Sequence, residues 1–263
     1  MSTILDEIVA NRREEVLAQK QIISVSEMES KTDFSVIRNS LSTNLLLPGS
    51  SGIIAEFKRR SPSKGVINDQ VQPEIVAKGY ADAGAAGVSV LTDRRYFGGS
   101  DADFIAARVA NPFIPMLRKD FMVDEYQLFE TRFLNADVVL LIAAVLGKEE
   151  ISRFTSIAHE LGMEVLLELH DVSEIDKIDK KTDMIGINNR NLKDFKVDLN
   201  RSLKLLDLLP AEAVKISESG LSDPETVDYL RSRGFNGFLM GENFMKTGNP
   251  TDTCANFISR LRH

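Results

Sequence analysis

Ile53–Gly65 reads IIAEFKRRSPSKG, an apolar run that carries Glu56 and Lys58 and then breaks into a turn rich in Arg, Ser, Pro and Gly. β-Branched and aliphatic residues at its start predict a strand, and Pro62 and Gly65 predict the turn that ends it. The turn has neither a G-x-G-x-x-G pattern nor a Walker motif, so this strand does not open a doubly wound nucleotide-binding sheet.

Outward from this stretch, seven further runs repeat the pattern: GVSVLTD from Gly87, IPMLRKDF from Ile114, DVVLLIAAV from Asp137, EVLLELHD from Glu164, DMIGINNR from Asp183, AVKISESG from Ala213 and FNGFLMGE from Phe235. Most are nearly continuous apolar runs, as expected of parallel strands covered on both faces. Between them, apolar residues recur every three or four positions: Ile75, Val76, Tyr80 and Ala83; Tyr126, Phe129 and Phe133; Ile151, Phe154, Ile157 and Leu161. These spacings predict helices that each turn one stripe toward the sheet. Ser222-Asp223-Pro224-Glu225 marks another helix start, with a capping residue followed by proline in the first turn.

Eight βα units in 263 residues predict a single TIM (β/α)8 barrel over residues 49–263. Residues 1–48 lie outside the count. Ile4, Ile8 and Val9 predict an amphipathic helix there, an N-terminal extension that covers apolar surface of the barrel.

Composition narrows the function. The net charge of −7 argues against nucleic acid or an anionic membrane as partner, since either needs an excess of Lys and Arg spread over a face. The longest apolar run, Val138 to Leu146, is far short of a membrane span. Asp6 and Glu7 interrupt the N-terminal segment, which therefore reads as neither signal nor transit sequence, and the expected compartment is the cytosol. The single cysteine, Cys254, shares a helical face with Ile258 and Leu261 and is expected in the core. His159, His170 and His263 form no ligand cluster, so no metal is expected, and His170 reads as a loop or rim residue.

In a barrel of this kind the active site forms at the carboxyl ends of the strands, where this sequence places charges. Glu56 and Lys58 close the first strand, Lys119 the third, Glu168 the fifth, Asn188 and Arg190 the sixth, and Glu218 with Ser219 the seventh. Glu56 and Lys58 are two apart and share a face; alone they could be an ion pair that merely closes the barrel top. Several such ends together point to a site. The last two strands run into SESG and MGENFMKTG, whose Gly220 and Gly241 permit close backbone approach, as a phosphate-binding edge of the mouth requires. From the residues alone, an acid–base enzyme, a Schiff-base aldolase using Lys58 or Lys119, and a non-catalytic phosphate-binding barrel all remain open.

The motifs IIAEFKRRSPSKG, SVLTD followed by YFGGS, PMLRKDF, LLELHD, GINNRNL and ISESG resemble, in order, the strand motifs of the indole-3-glycerol-phosphate synthase family. ILDEIVANRREEV resembles that family's N-terminal extension. The resemblance covers nearly the whole chain and implies a step of tryptophan biosynthesis. In it 1-(2-carboxyphenylamino)-1-deoxyribulose 5-phosphate closes to indole-3-glycerol phosphate with loss of carbon dioxide and water, without a cofactor. It implies Lys119 as the general acid and Glu168 as the acid/base partner in dehydration. Lys58 would engage substrate anions, Glu56 would orient Lys58, Asn188 and Ser219 would position substrate, and Arg190 would meet an anionic group. Ser61, Phe97 and Phe121 would be further contacts. The phosphorylated small molecule is the one partner expected, and a monomer rather than an obligate oligomer. Lysine and glutamate near their ordinary pKa values would already hold the required charge states. The sequence departs from the family at Glu242 and Asn243, where small hydroxyl residues are common; the Glu242 side chain is expected to turn away from the phosphate and leave backbone N–H groups facing it.

Overall fold

The computed structural model describes residues 3–191 and 196–262. His263 and Leu192, the last residue of the GINNRNL motif, lie outside the described residues. Each of the eight predicted stretches contains one strand of a closed parallel barrel: β1 (Ile53–Phe57), β2 (Gly87–Leu91), β3 (Met116–Lys119), β4 (Val138–Ile142), β5 (Glu164–Leu169), β6 (Met184–Asn188), β7 (Val214–Glu218) and β8 (Gly237–Met240). The barrel closes where β1 lies beside β8, with Ile53 opposite Phe238 and Ala55 opposite Met240.

Alternation along the strands divides the core in two. Ile54, Leu117, Leu140, Leu166, Met184, Ile216 and Leu239 point inward and fill the barrel. Their neighbours, among them Ala55, Val139, Leu167 and Ile187, point outward to the helices. A short helix of the extension, α3 (Leu41–Leu46), plugs the amino end of the barrel with Leu41 and Leu45. Glycine at the start of β2 makes room for it, since a Cβ on Gly87 would lie 2.5 Å from Leu41 Cδ1. The Glu164 carboxylate accepts from Leu41 N at 2.7 Å and Ser42 N at 3.1 Å, so the positive end of the helix rests on an anion.

The extension begins with α1 (Ile4–Gln19) and α2 (Val25–Lys31). Val16 and Met28 pack on Val123 and Tyr126. The last belongs to α6 (Tyr126–Phe133), so that helix has apolar contacts on two sides. Its stripe is therefore only partly the predicted one: Phe129 packs on the core as expected, but Leu128 is buried beside it, Tyr126 serves the extension and Phe133 is exposed. In α4 (Pro73–Asp82), Val76, Ala77 and Tyr80 are buried and Ile75 faces solvent. The helix α7 (Lys148–Glu160) buries Ile151 and Phe154 as the spacing predicts.

Two connections differ from a plain βα repeat. The loop after β1 folds a small hairpin, Arg60–Ser61 against Gly65–Val66. Between β5 and β6 the crossover is a 3-10 helix, Val172–Lys177, in place of an α-helix. Later in the chain, Asp223 caps α9 (Pro224–Ser232) by accepting from Thr226 N at 2.8 Å. Cys254 in the terminal helix is buried beside Ile258 and Leu261, and burial pushes its thiol up to about 12.

A buried charge cluster joins the extension to the barrel. Arg118 of β3 points outward and is fully enclosed, donating to Glu130 at 2.7 Å, Asp101 at 3.2 Å, Thr92 at 3.1 Å and Thr131 at 3.1 Å. Arg12 of α1 reaches Asp120 at 2.5 Å, and Asp120 also accepts from Thr92 at 2.6 Å. Removing one member leaves the others buried and uncompensated. Arg118→Met is therefore expected to lower the unfolding free energy by about 3–5 kcal/mol in urea denaturation. A change below about 1 kcal/mol, typical of an exposed pair, would show that the cluster does not hold the fold.

Candidate active site

Period-two alternation brings the inward charges to one level at the carboxyl end of the barrel. Glu56 follows Ile54, Lys119 follows Leu117, Glu168 follows Leu166, Asn188 follows Gly186 and Glu218 follows Ile216, each two residues beyond an inward neighbour. Above them opens a cavity of about 570 Å3 whose walls include every residue singled out from the sequence: Lys119, Glu168, Lys58, Glu56, Asn188, Ser219, Ser61, Phe97, Phe121, Arg190, Gly220, Gly241 and Glu242.

At its floor, Lys119 Nζ donates to Glu168 Oε2 at 2.5 Å and lies 3.3 Å from Glu218 Oε2. Asn188 Nδ2 donates to the other Glu168 oxygen, Oε1, at 3.0 Å. Lys58 donates to Glu56 Oε1 at 2.6 Å, so these two form a second pair beside the first. Gly241 is needed for this packing, because a Cβ there would lie 2.5 Å from Glu56 Oε1.

The charge states match the sequence expectation, but the shifts are large. Burial disfavours the Lys119 cation, yet Glu168, Glu218 and Glu56 outweigh it and raise the ammonium well above the usual lysine range. Burial likewise opposes ionisation of Glu168, but Lys119 and His170 hold its carboxyl well below the usual range. Burial pushes Glu218 up to about 8, a rise that Lys119 opposes and Glu168 reinforces. Of the two carboxyls beside Lys119, Glu168 is thus favoured as the charged one and Glu218 as the protonated one.

The upper wall is cationic and partly self-paired. Arg190 donates to Glu242 Oε2 at 3.2 Å and to Ser63 Oγ at 3.3 Å, and Lys64 Nζ lies 3.5 Å from Glu242 Oε1. Glu242 opens the short helix α10 (Glu242–Met245) after β8, and its carboxylate is drawn across to Arg190 and Lys64. Ser219 and Gly220 both have positive φ, 67° and 76°. That left-handed turn is strained for serine and is held by Asn189, whose Nδ2 donates to the carbonyls of Glu218 and Ser219 at 3.0 and 3.1 Å. Phe97 and Phe121 stack at the rim with ring centroids 5.9 Å apart.

Three parts of the site escaped the sequence reading. Glu218 was noted only as a strand-end charge, although its two-residue step from Ile216 already placed it inward. His170, read as a rim residue, is buried with Nε2 2.9 Å from Glu168 Oε1. The α1 helix does more than cover surface, since Ile4, Leu5 and Ile8 line the cavity. Among the described residues no group of three His, Cys, Asp or Glu could hold a metal ion.

A closed parallel barrel with buried lysine–carboxylate pairs at the carboxyl ends of its strands defines an acid–base barrel enzyme. The comparisons with known proteins narrow the class. The indole-3-glycerol phosphate synthase family matches residues 5–257. The indole-3-glycerol phosphate synthase of Bacteroides thetaiotaomicron is 49% identical, with 100% of each chain covered. That of Laribacter hongkongensis is 43% identical over 98% of this chain and 100% of its own. The chain belongs to the indole-3-glycerol phosphate synthase family. Among solved structures, 3-hexulose-6-phosphate synthase from Salmonella typhimurium superposes with a TM-score of 0.62 at 12% identity, covering 80% of this chain and 100% of that one. A chain of the tryptophan synthase complex from Pyrococcus furiosus gives 0.59 at 14%, covering 81% and 98%. These last two share the fold.

The folded protein holds the Glu218 proton up to about pH 8, whereas an unfolded glutamate releases it near 4.5. The protonated group's contribution to stability is therefore full below the lower value and lost as pH rises through the upper one. Glu218→Gln has no proton to lose. In urea denaturation from about pH 5 to about pH 8, its stability relative to wild type is expected to improve steadily. A difference that stays constant across that range would refute the raised pKa.

Proposed function

We propose that this cavity closes 1-(2-carboxyphenylamino)-1-deoxyribulose 5-phosphate to indole-3-glycerol phosphate, as a carboxy-lyase of tryptophan biosynthesis, and that its floor residues divide the proton transfers between them. The observation that carries the assignment of roles is Lys119, a buried cation held between Glu168 and Glu218.

Lys119 meets the substrate ketone oxygen and gives it a proton as the ring carbon bearing the carboxylate attacks. Carbon dioxide then leaves from that carbon, its bonding electrons returning to the ring. The new hydroxyl departs as water in the second half, which needs one proton taken from the ring system and one given to the hydroxyl. Glu168, ionised in the free enzyme, is the base and then the acid of that half. Glu218, protonated at neutral pH, keeps the floor close to electrical neutrality and gives Lys119 a second partner as its charge changes. Glu56 aligns Lys58, whose ammonium faces the anionic parts of the substrate together with Arg190. Asn188 fixes Glu168, Ser61 and Ser219 lie within the polar wall, and Phe97 and Phe121 offer an aromatic face to the anthranilate ring.

The phosphate end is read at Gly220, Gly241 and the start of α10, where close approach of backbone N–H groups is possible. With Glu242 paired to Arg190 and Lys64, the arriving anion competes with a carboxylate already in place. Among the described residues no helix is long and apolar enough to cross a membrane, in keeping with the reading as an enzyme of the cytosol.

A Schiff-base aldolase would need a lysine with a depressed pKa. Lys119 is shifted the other way, which favours proton transfer over covalent catalysis. Indole formation followed by fluorescence is the direct test. Lys119→Ala and Glu168→Gln are expected to keep the fold and to lose turnover by at least ~10²-fold, the usual loss on removing a general acid or base. Near-normal rates in both variants would overturn the assignment, as would borohydride capture of substrate on a lysine.

A further inference from the structure

Glu168 is bound at both oxygens, and the two sets of partners differ in kind. Oε2 receives Lys119 at 2.5 Å. Oε1 receives Asn188 Nδ2 at 3.0 Å and faces His170 Nε2 at 2.9 Å. His170 stands two residues beyond Glu168, so both side chains leave the chain on the same inward face. The imidazole is only 6% exposed and lines the cavity.

The backbone fixes where that ring sits. His170 N donates to Glu174 Oε2 at 2.7 Å and Asp171 N to the same oxygen at 3.3 Å. Asp171 caps the 3-10 helix Val172–Lys177, and Glu174 reaches back to complete the capping box. The tight crossover after β5 therefore anchors the residue whose ring reaches the Glu168 carboxylate.

We propose that His170 is a positioning residue for Glu168, holding Oε1 so that Oε2 stays aimed at Lys119 and the substrate throughout the proton transfers. The proposal rests on the reading of Glu168 as the acid–base group. The terminal torsion of a glutamate is broad and nearly two-fold, so an unheld carboxylate turns readily. In the free enzyme Lys119 restrains it. Once Lys119 has given up its proton, that attraction weakens, and Asn188 and His170 are left to keep the carboxylate in place during dehydration. What the role requires is an N–H at the position of Nε2. A net charge on the ring is not needed.

Two substitutions in the full chain separate this role from packing. His170→Gln supplies an amide N–H at similar reach; His170→Phe fills the space without a donor. In the indole fluorescence assay, His170→Phe is expected to lower kcat by about 10–100-fold, the usual cost of removing a group that orients another, with KM nearly unchanged. His170→Gln is expected to recover most of that loss. Because His170 acts through Glu168, adding His170→Phe to Glu168→Gln should cost nothing further. Equal losses in the Gln and Phe variants, or a change in KM alone, would overturn the proposal, as would multiplying losses in the double variant. Should the phenyl ring prevent folding, His170→Leu is read in the same way. Full activity in Glu168→Gln itself would instead remove the acid–base reading on which the proposal stands, so the two failures are distinguishable.

Discussion

The step of two along a β-strand governs this molecule, and the last two residues of β3 with the one that follows them show it. Arg118 points out, Lys119 points in, and Asp120 points out again. The outward pair is locked into the charge cluster with Arg12, Glu130, Asp101 and Thr92. The inward residue is the one to which we assign the proton donation. A slip of one residue in register would exchange these environments, placing Arg118 in the site and Lys119 against the helices. The outer cluster therefore does more than join the extension to the barrel, for it also fixes which face of β3 Lys119 occupies. Buried ion pairs contribute little net stability compared with apolar packing, but they discriminate strongly against wrong arrangements.

The same constraint explains how an acidic chain gathers cations at its mouth. Charge averaged over the surface is negative, whereas the barrel end gathers Lys58, Lys119, Arg190 and Lys64 around one cavity. Each has a carboxylate partner: Lys58 has Glu56, Lys119 has Glu168, and Arg190 and Lys64 share Glu242. An anionic substrate thus meets cations already oriented by carboxylates, with Lys58 and Lys119 largely desolvated as well, which limits reorganisation when it binds. The cost is that Lys119 is held so firmly as a cation that it is a weak acid until something alters its surroundings. A ketone oxygen gaining negative charge beside it would do so, drawing the proton in the direction the chemistry needs.

Much of this was legible in sequence because period and position are local properties. Eight apolar runs marked eight strands, and charges at their ends marked the mouth. What stayed hidden depends on contacts between distant segments. His170 read as a rim residue because nothing local says that a 3-10 turn follows and pins it inward. The stripe on α6 was partly misplaced because the extension covers that helix from outside, so that Tyr126 is buried against Val16 and Met28 and not against the sheet. The role of α1 in lining the cavity follows from Arg12 reaching Asp120 across more than a hundred residues of chain. Glu218 is the instructive exception, since its parity with Ile216 was readable, and only its raised pKa required the neighbours.

The phosphate end bears on how binding and chemistry are linked. Glu242 pairs with Arg190 and Lys64, so a substrate phosphate or carboxylate bound to those cations would compete with it. The Arg190 backbone N–H donates to Asn188 Oδ1 at 2.9 Å, and Asn188 in turn donates to Glu168. The residue that meets an anion at the wall is thus joined through one asparagine to the carboxylate at the floor. An anion drawing Arg190 away from Glu242 pulls on the loop that orients Asn188. Binding energy at a part of the substrate that does not react is thereby available to align the group that does, which is how such energy raises kcat and not merely affinity.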